Sequence, residues 1–386
     1  MESTFCTGCI SRRIVKLQTM MKVLFLVLCS GILQFSFAAN RLRYFNYTED
    51  RFNWTDAKQY CVDKGGSLLS LYDEEDEMMI FNFTISVRDT LFWVGLKKKD
   101  NNILFWSNGE VVKFNNSAVN IADADQLCEA FEKGSWMGFN CSEEKAFMCK
   151  KDENFTLVDD VKKNWCQAMQ HCRTHFTDLA SIMNEEENKV LQEKSQEKNV
   201  WIGLQHNKYE WADKSCSTHR SKFKQDPKSS KDYISLTPDG IPFFLNPVSC
   251  NTEGAVICSK GHVRIKVIRE PRTWEDALDY CKARHSRLLW IEDEEDQEAV
   301  EQWLKFTYTG SSKRLWIGLK QSSVFGFWIW SDRIVNYKNW ENGKQPEMPL
   351  SNHCGVIDAE TFEWSDESCD HRLPFLCEED IIYMKT

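Results

Sequence analysis

The sequence predicts an α+β protein: three tandem copies of one small module behind an export leader. Three observations carry that expectation. A residue pattern occurs three times, helix-period and strand-period stretches follow in the same order within each copy, and cysteines repeat with the pattern. Each copy opens with a Trp, has an Ala three residues on and a Cys seven residues on, reaches Trp-(Ile/Val)-Gly-Leu, and closes on a Cys. The first has Trp54, Ala57, Cys61, Trp93-Val94-Gly95-Leu96 and Cys149. The second has Trp165, Ala168, Cys172, Trp201-Ile202-Gly203-Leu204 and Cys258. The third has Trp274, Ala277, Cys281, Trp316-Ile317-Gly318-Leu319 and Cys377. Each closing Cys of the first two copies lies sixteen residues before the next opening Trp. A period a little above one hundred residues exceeds that of a solenoid, whose units run to roughly 20–50 residues. It matches a complete small domain. The expected divisions are a leader over 1–39 and modules over 41–151, 154–260 and 263–379.

The leader comes first. Val23 to Ala38 is a near-continuous apolar run preceded by Arg12, Arg13, Lys16 and Lys22, and it ends Ser36-Phe37-Ala38, a small-x-small cleavage pattern. At about sixteen residues it is short for a membrane span, which needs roughly 17–25. Met20 and Met21 offer internal starts just before it. It reads as a signal peptide of a secreted protein. The competing reading is a signal-anchor, with residues 1–20 cytosolic and the chain held in a membrane as a type II single-pass protein. In that reading Cys6 and Cys9 are candidate palmitoylation sites. Sixteen Cys and a formal charge of -10 suit an oxidising compartment and give no general attraction to nucleic acid. Asn-x-Ser/Thr acceptor sites begin at Asn46, Asn53, Asn82, Asn115, Asn140 and Asn154, all in the first 160 residues.

Within each module, Trp54, Ala57 and Cys61 lie at i, i+3 and i+7, one face of a helix, and the other copies repeat this. A short apolar strand follows (Leu68 to Leu71, Leu179 to Ile182, Leu288 to Ile291), then an acidic helix start at Asp73, Asn184 and Glu292. The Trp-x-Gly-Leu run reads as a buried strand whose Gly admits a close neighbour. Two helices followed by several short strands make an α+β module.

Without the leader, module one keeps Cys61, Cys128, Cys141 and Cys149, and module three keeps Cys281, Cys354, Cys369 and Cys377. Four cysteines allow three pairings, and sequence alone does not choose. The repeated spacing suggests first-to-last (61–149, 281–377) around an inner pair (128–141, 354–369). Module two has Cys166, Cys172, Cys216, Cys250 and Cys258. Pairing Cys172 with Cys258 leaves Cys250 to find Cys216 or Cys166. One thiol remains, and it leaves a disulfide-linked dimer open.

The Trp-x-x-Ala-x-x-x-Cys helix, the Trp-Ile-Gly-Leu strand and the tail of cysteines around a Trp together resemble the C-type lectin-like domain, over roughly residues 41 to 378. Tandem copies behind a leader resemble mannose-receptor-type lectins. The resemblance implies the first-to-last disulfides and a long loop region that carries ligand sites. It also implies an extracellular partner: a glycan or glycoprotein, bound by a Ca2+ ion that bridges protein oxygens and sugar hydroxyls.

Calcium wants six to eight oxygen ligands. The family supplies them from an X-Pro-X tripeptide, a Glu two residues before the next Cys, and an Asn-Asp after a Trp. Module three has Gln345-Pro346-Glu347, Asn352 and Trp364-Ser365-Asp366 at these positions. Glu347 and Asp366 keep charge, Gln345 and Asn352 offer carbonyls, and Ser365 offers a hydroxyl. The expectation is weak Ca2+ binding in module three only. Gln-Pro-Glu leans towards the galactose-type Gln-Pro-Asp. Module one has Trp136-Met137-Gly138 and Gln126 at these positions. Module two has Leu245-Asn246-Pro247, with Gln225-Asp226-Pro227 misplaced. Neither is expected to hold Ca2+. The alternative function is a calcium-independent protein-binding receptor or soluble decoy.

Other constellations favour bland readings. Module two carries a basic loop of His219, Arg220, Lys222, Lys224, Lys228 and Lys231, which reads as solvated; a sulfated-glycan patch is the sharper alternative. His353-Cys354 and Cys369-Asp370-His371 have the chemistry of a zinc site, but a disulfide is the expected state. Phe327-Trp328-Ile329-Trp330 reads as a strand rather than a stacking platform. The sequence contains no G-x-S-x-G elbow, phosphate-cradling glycine loop or H-E-x-x-H helix, so no enzyme is expected.

Overall fold

A computed structural model describes residues 40–385, apart from 88–90, 100–102, 120–125, 220–231, 238–243, 250, 323–325 and 348–351. The leader, Cys6, Cys9, Cys250 and all of the basic loop except His219 fall outside the described residues. Among those described, no helix is long and apolar enough to cross a membrane.

The first repeat supplies β1 (Tyr44–Phe52), α1 (Trp54–Asp63), β2 (Ser67–Leu68), α2 (Glu74–Thr84), β3 (Phe92–Lys98), β4 (Leu127–Glu132), β5 (Ser135–Asn140) and β6 (Lys145–Lys151). The second supplies β7 (Asn154–Lys163), α3 (Trp165–His175), β8 (Asp178–Leu179), α4 (Glu185–Lys194), β9 (Val200–His206), β10 (Tyr209–Trp211), β11 (Tyr233–Thr237), β12 (Phe244–Val248) and β13 (Gly254–Lys260). The third supplies β14 (Val263–Arg272), α5 (Trp274–Arg284), β15 (Arg287–Leu288), α6 (Glu294–Thr307), β16 (Arg314–Gln321), β17 (Trp328–Trp330), β18 (Arg333–Ile334), β19 (His353–Asp358), β20 (Trp364–Ser368) and β21 (Leu373–Asp380).

Local chemistry sets the helix starts. Asn53, Asp73, Asn164, Asn184, Thr273 and Asp293 each precede a helix and accept a hydrogen bond from the backbone N–H three residues on. That bond satisfies a donor the helix itself leaves unpaired. Trp54, Ala57 and Cys61 are the buried face of α1, and α3 and α5 bury the equivalent residues. Each opening Trp then donates its indole N–H to the carbonyl before the Gly of Trp-x-Gly-Leu: Trp54 to Val94 (3.0 Å), Trp165 to Ile202 (2.8 Å), Trp274 to Ile317 (2.8 Å). The Trp of that strand reaches back to the chain entering the helix: Trp93 to Phe52, Trp201 to Lys163, Trp316 to Arg272. Helix and strand are thus pinned by two buried bonds. The Gly is needed for close approach, since a Cβ on Gly318 would sit 3.0 Å from the Leu289 carbonyl oxygen.

Each globule closes when a last strand pairs parallel to the Trp-x-Gly-Leu strand and antiparallel to the first strand. In the third repeat β21 does this between β16 and β14, within its own module. In the first two repeats the closing strands are exchanged. β13 of the second repeat pairs with β1 and β3 of the first, while β6 of the first pairs with β7 and β9 of the second. The globules are therefore A (the first repeat through β3, with β10 to β13), B (residues 103 to 206) and C (the third repeat). B is contiguous and circularly permuted. Its neighbouring strands β6 and β7 are joined by a two-residue turn with Asp152 at φ 54°, whereas the corresponding pairs, β13 with β1 in A and β21 with β14 in C, have no direct connection. The expected module boundary at 151–154 is thus a hairpin inside one globule. The chain leaves A after Lys98 and returns after His206, and the two crossings bond to each other, Lys99 N–H to the Lys208 carbonyl at 2.9 Å.

The disulfides follow the globules. Cys61 is bonded to Cys258 and Cys149 to Cys172, in place of the expected 61–149 and 172–258. The reason is packing: a helix Cys can reach only the closing strand that lies beneath it. Cys166 pairs with Cys216, so neither is available to Cys250 as expected. Cys128–Cys141, Cys281–Cys377 and Cys354–Cys369 lie within their own repeats.

A and C dock through α2 against α6, with Phe83 and Phe306 edge to face at 5.5 Å. Charges are traded across the seam. Arg41 bonds Asp296 (2.8 Å) and Glu378 (2.8 Å) of C. Arg264 of C bonds Asp73 and, at 3.3 Å, Asp76 of A, and Lys266 bonds Asp73 and Glu75 at 2.7 Å. Burial pushes Glu378 up to about 7 against the pull of Arg41. Burial acts the same way on neighbouring Glu379, but His285, Arg264 and Lys266 override it and hold that carboxyl at about 2.

Two outcomes follow from this architecture. Peptide mapping without reduction should recover Cys61–Cys258 and Cys149–Cys172; recovery of 61–149 with 172–258 would refute the exchange. Glu378 rises from an ordinary 4.5 to about 7 in the folded chain, so its stabilising share is full below pH 4.5 and is lost as pH climbs to 7. Glu378→Gln should flatten that limb, raising stability relative to wild type on the order of 2 kcal/mol at pH 7.5 compared with pH 5 in urea titrations.

Candidate functional site

The expected ligand region lies on globule C, where β19 and β20 form an antiparallel ladder with Gly355 opposite Asp366 and Val356 opposite Ser365. Cys354–Cys369 staples the ladder at one end, which rules out the drawn zinc site because both thiols are consumed. At the other end Trp364 is fully buried, donates its indole N–H to Gln297 at 3.0 Å and packs against Trp330 and Trp340. Trp328 and Trp330 of β17 are likewise buried, so the aromatic run serves the core.

The five candidate ligands do not share one arrangement. Gln345 and Glu347 are exposed on the loop that follows the turn Glu341–Gly343, and neither has a hydrogen-bond partner among the described residues. Asn352 is exposed where β19 begins, and its carbonyl accepts from the Cys369 N–H at 3.2 Å. Ser365 and Asp366 are half-buried in β20. Asp366 is already engaged: its Oδ2 lies 2.5 Å from His353 Nδ1, with side chains 31% and 25% exposed. The next acid, Glu367, is held by Arg314 (2.9 Å) and His371 (3.0 Å). This face is a row of paired charges.

That donor chemistry does not fit a calcium cage. Calcium needs six to eight oxygens, with affinity set by ligand charge. Here there are two candidate carboxylates, and one faces an imidazole. Among the described residues, no three of His, Cys, Asp or Glu are grouped to hold a metal ion. Sequence reasoning read His353 as an exposed residue beside a disulfide and missed its pairing with Asp366. A His one residue before the Cys, directly across the ladder from the acid strand, was the available signal.

The equivalent positions elsewhere are structural. Trp136 of B is buried and donates to Asn188 at 2.9 Å, and a Cβ on Gly138 would meet Val119 at 2.7 Å. Gln126 sits at φ 56° and donates to the carbonyls of Ser217 and His219 in A. Asn246 bonds Thr237 within the β11–β12 hairpin. Of the acceptor sites for N-glycans, Asn46, Asn115, Asn140 and Asn154 are exposed, and Asn53 is spent capping α1. Asn82 is half-buried at the A–C seam, its Nδ2 donating to the Phe306 carbonyl at 2.7 Å.

The profile of the family described as "Lectin C-type domain" matches three times, over residues 50–151, 161–260 and 270–379. The rat protein "C-type mannose receptor 2" is 20% identical over an alignment covering 85% of this chain and 28% of that protein. The bovine "Secretory phospholipase A2 receptor" is 23% identical, covering 92% of this chain and 29% of that one. The chain therefore spans under a third of the length of these relatives. Among solved structures, the mouse scavenger receptor C-type lectin carbohydrate-recognition domain is 29% identical at a TM-score of 0.27, covering 31% of this chain and 89% of that one. No enzyme family appears among these matches. With three profile matches that together take in most of its residues, this chain belongs to the C-type lectin domain family.

Proposed function

We propose that this chain is an extracellular recognition protein whose globule C contacts a glycoprotein without calcium. The carrying observation is the His353–Asp366 pair. A ring nitrogen of His353 already faces the carboxylate that a calcium site would require and occupies the oxygen a metal would take. The row formed by half-buried His353, Asp366 and Glu367 with exposed Arg314 and His371 offers polar and charged groups to a polar or glycosylated partner. Such charges set specificity and encounter rate more than raw affinity. The relatives fit a family that takes either ligand class: one is named for mannose and another for a secreted phospholipase A2. Secretion with signal-peptide removal, glycosylation at exposed acceptor sites, and a disulfide-linked dimer belong to the same reading.

A second reading keeps the lectin chemistry. Gln345 and Glu347 are exposed and without partners among the described residues. With Asn352, Ser365 and Asp366 they would bind Ca2+ weakly and favour galactose-type sugars, once Asp366 left His353. The two readings separate by mass action, because an ion that binds only the folded state must raise the melting temperature. The full chain should show no shift at 5 mM Ca2+, within about 1 °C, and glycoprotein binding should survive EDTA. A Ca2+-dependent shift and EDTA-sensitive galactoside binding, both abolished by Asp366→Ala, would establish the second reading and overturn the first.

A further inference from the structure

Between globules A and B, where the chain crosses from one to the other, lies a cavity of about 300 Å³. One wall is the B hairpin around Phe105 and Trp106, in which Phe105 bridges Val111. The facing wall is its counterpart in A, β10 and the residues after it. These are equivalent pieces of two repeats, since Trp106 pairs with Leu204 as Trp211 pairs with Leu96. The third wall is the C-terminal segment after β21, which returns from globule C. Tyr383 bridges Ser215, the Cys216 N–H bonds the Ile382 carbonyl at 2.7 Å, and Met384 N–H bonds the Lys214 carbonyl at 2.8 Å.

The lining is amphipathic in an ordered way. Ile103 and Phe105 are 49% and 44% exposed, large apolar groups left in water at the cavity. Three lysines, Lys99, Lys214 and Lys385, line it against one carboxylate, Glu210. That carboxylate is already held by Lys214 (2.7 Å) and Lys97 (3.3 Å), which lower its pKa despite partial burial. The lining therefore carries more cations than carboxylates in a chain whose net charge is -10, with Lys385 also 3.4 Å from Asp178 of B. Trp106 lines the cavity at 1% exposure, and its indole N–H has no acceptor among the described residues. A buried donor without a partner is destabilising, and an incoming acceptor would relieve that cost.

We propose that this cavity binds a small amphipathic anion, with a carboxylate or sulfonate accepting from Trp106 Nε1 and facing the lysines, and an apolar or aromatic body on Ile103, Phe105 and Met384. Its size sits at the small end of ligand clefts, roughly 300–1,000 Å³. The site is independent of the charged face on globule C. It is built from three separate parts of the chain that meet only because the first two repeats have traded halves.

The test is a titration of the full chain with 1-anilinonaphthalene-8-sulfonate, read by fluorescence, with near-ultraviolet dichroism to verify native packing. One saturable site is expected, and decanoate should displace the dye whereas neutral decanol should not. Lys99→Glu with Lys385→Glu should weaken binding about tenfold or more. Trp106→Phe, which keeps the ring but removes the donor, should weaken it several-fold. Met384→Trp, on the half-exposed strap, should fill the space and remove the signal without altering the fold. An unsaturable signal, or an affinity unchanged by both the charge reversal and Met384→Trp in natively packed protein, would overturn the proposal.

Discussion

One contact closes every globule: a last strand slides between the first strand and the Trp-x-Gly-Leu strand and is stapled to the first helix. The helix and the Trp-x-Gly-Leu strand are pinned to each other by the paired indole bonds, independently of the closing strand, so each amino-terminal half presents the same slot. Ala255, Ala146 and Phe375 fill that slot in A, B and C beside Phe92, Val200 and Trp316. Because the slots and closing strands are copies, contact energy alone hardly distinguishes a strand's own slot from its neighbour's. Exchange of equivalent elements is then a low-cost alternative, and connection geometry decides. Lys151-Asp152-Glu153-Asn154 makes a two-residue hairpin, which holds β6 and β7 in one sheet. Between the second and third repeats the chain instead passes through Gly261 at φ 84°, where a Cβ would meet the Leu42 carbonyl oxygen at 2.3 Å. That glycine lets β14 run on beside Leu42 and start a new globule.

This explains what was legible in the sequence and what was not. Helix faces, caps and the close-packed glycine are local, so Trp54, Ala57, Cys61 and Gly95 declare themselves by spacing. Cys128–Cys141 spans thirteen residues of one hairpin and is nearly as local. Cys61–Cys258 spans 197 residues, and the pattern fits Cys149 equally well because both closing strands carry the same motif. Repetition reveals the module while concealing the partner. At the ligand face, Gln345, Asn352 and Asp366 could be placed by motif, but the bond from His353 to Asp366 depends on strand register. The cavity between A and B was not legible at all, since its walls, two equivalent hairpins and the C-terminal segment, meet only through the exchanged pairing of distant strands.

The His353–Asp366 pair also bears on how this face accommodates its carboxylates. Removing the metal from a cage of carboxylates leaves unpaired negative charge, which is costly wherever solvent is partly excluded. Asp366 is about two-thirds buried, and the His353 imidazole, diagonal to it on the facing strand, supplies a hydrogen-bond partner. Glu367 is balanced in the same way by Arg314 and His371. The result is a face stabilised internally that still displays polar groups. A partner binding there exchanges one set of charged bonds for another, so shape and charge pattern govern selectivity.

Rigidity follows from the exchange as well. Modules joined by flexible linkers gain avidity through an effective concentration that linker length tunes. Here A and B share two chain crossings and the Gln126 bonds, A and C share the helix seam and its traded charges, and the C-terminal strap ties C back to both. The globules therefore present their faces at fixed spacings. Simultaneous engagement of a second face costs little further ordering when the partner matches that spacing, and is denied when it does not. On the proposed function, an exchanged tandem arrangement of this kind would select for the spacing of its ligands as well as their chemistry.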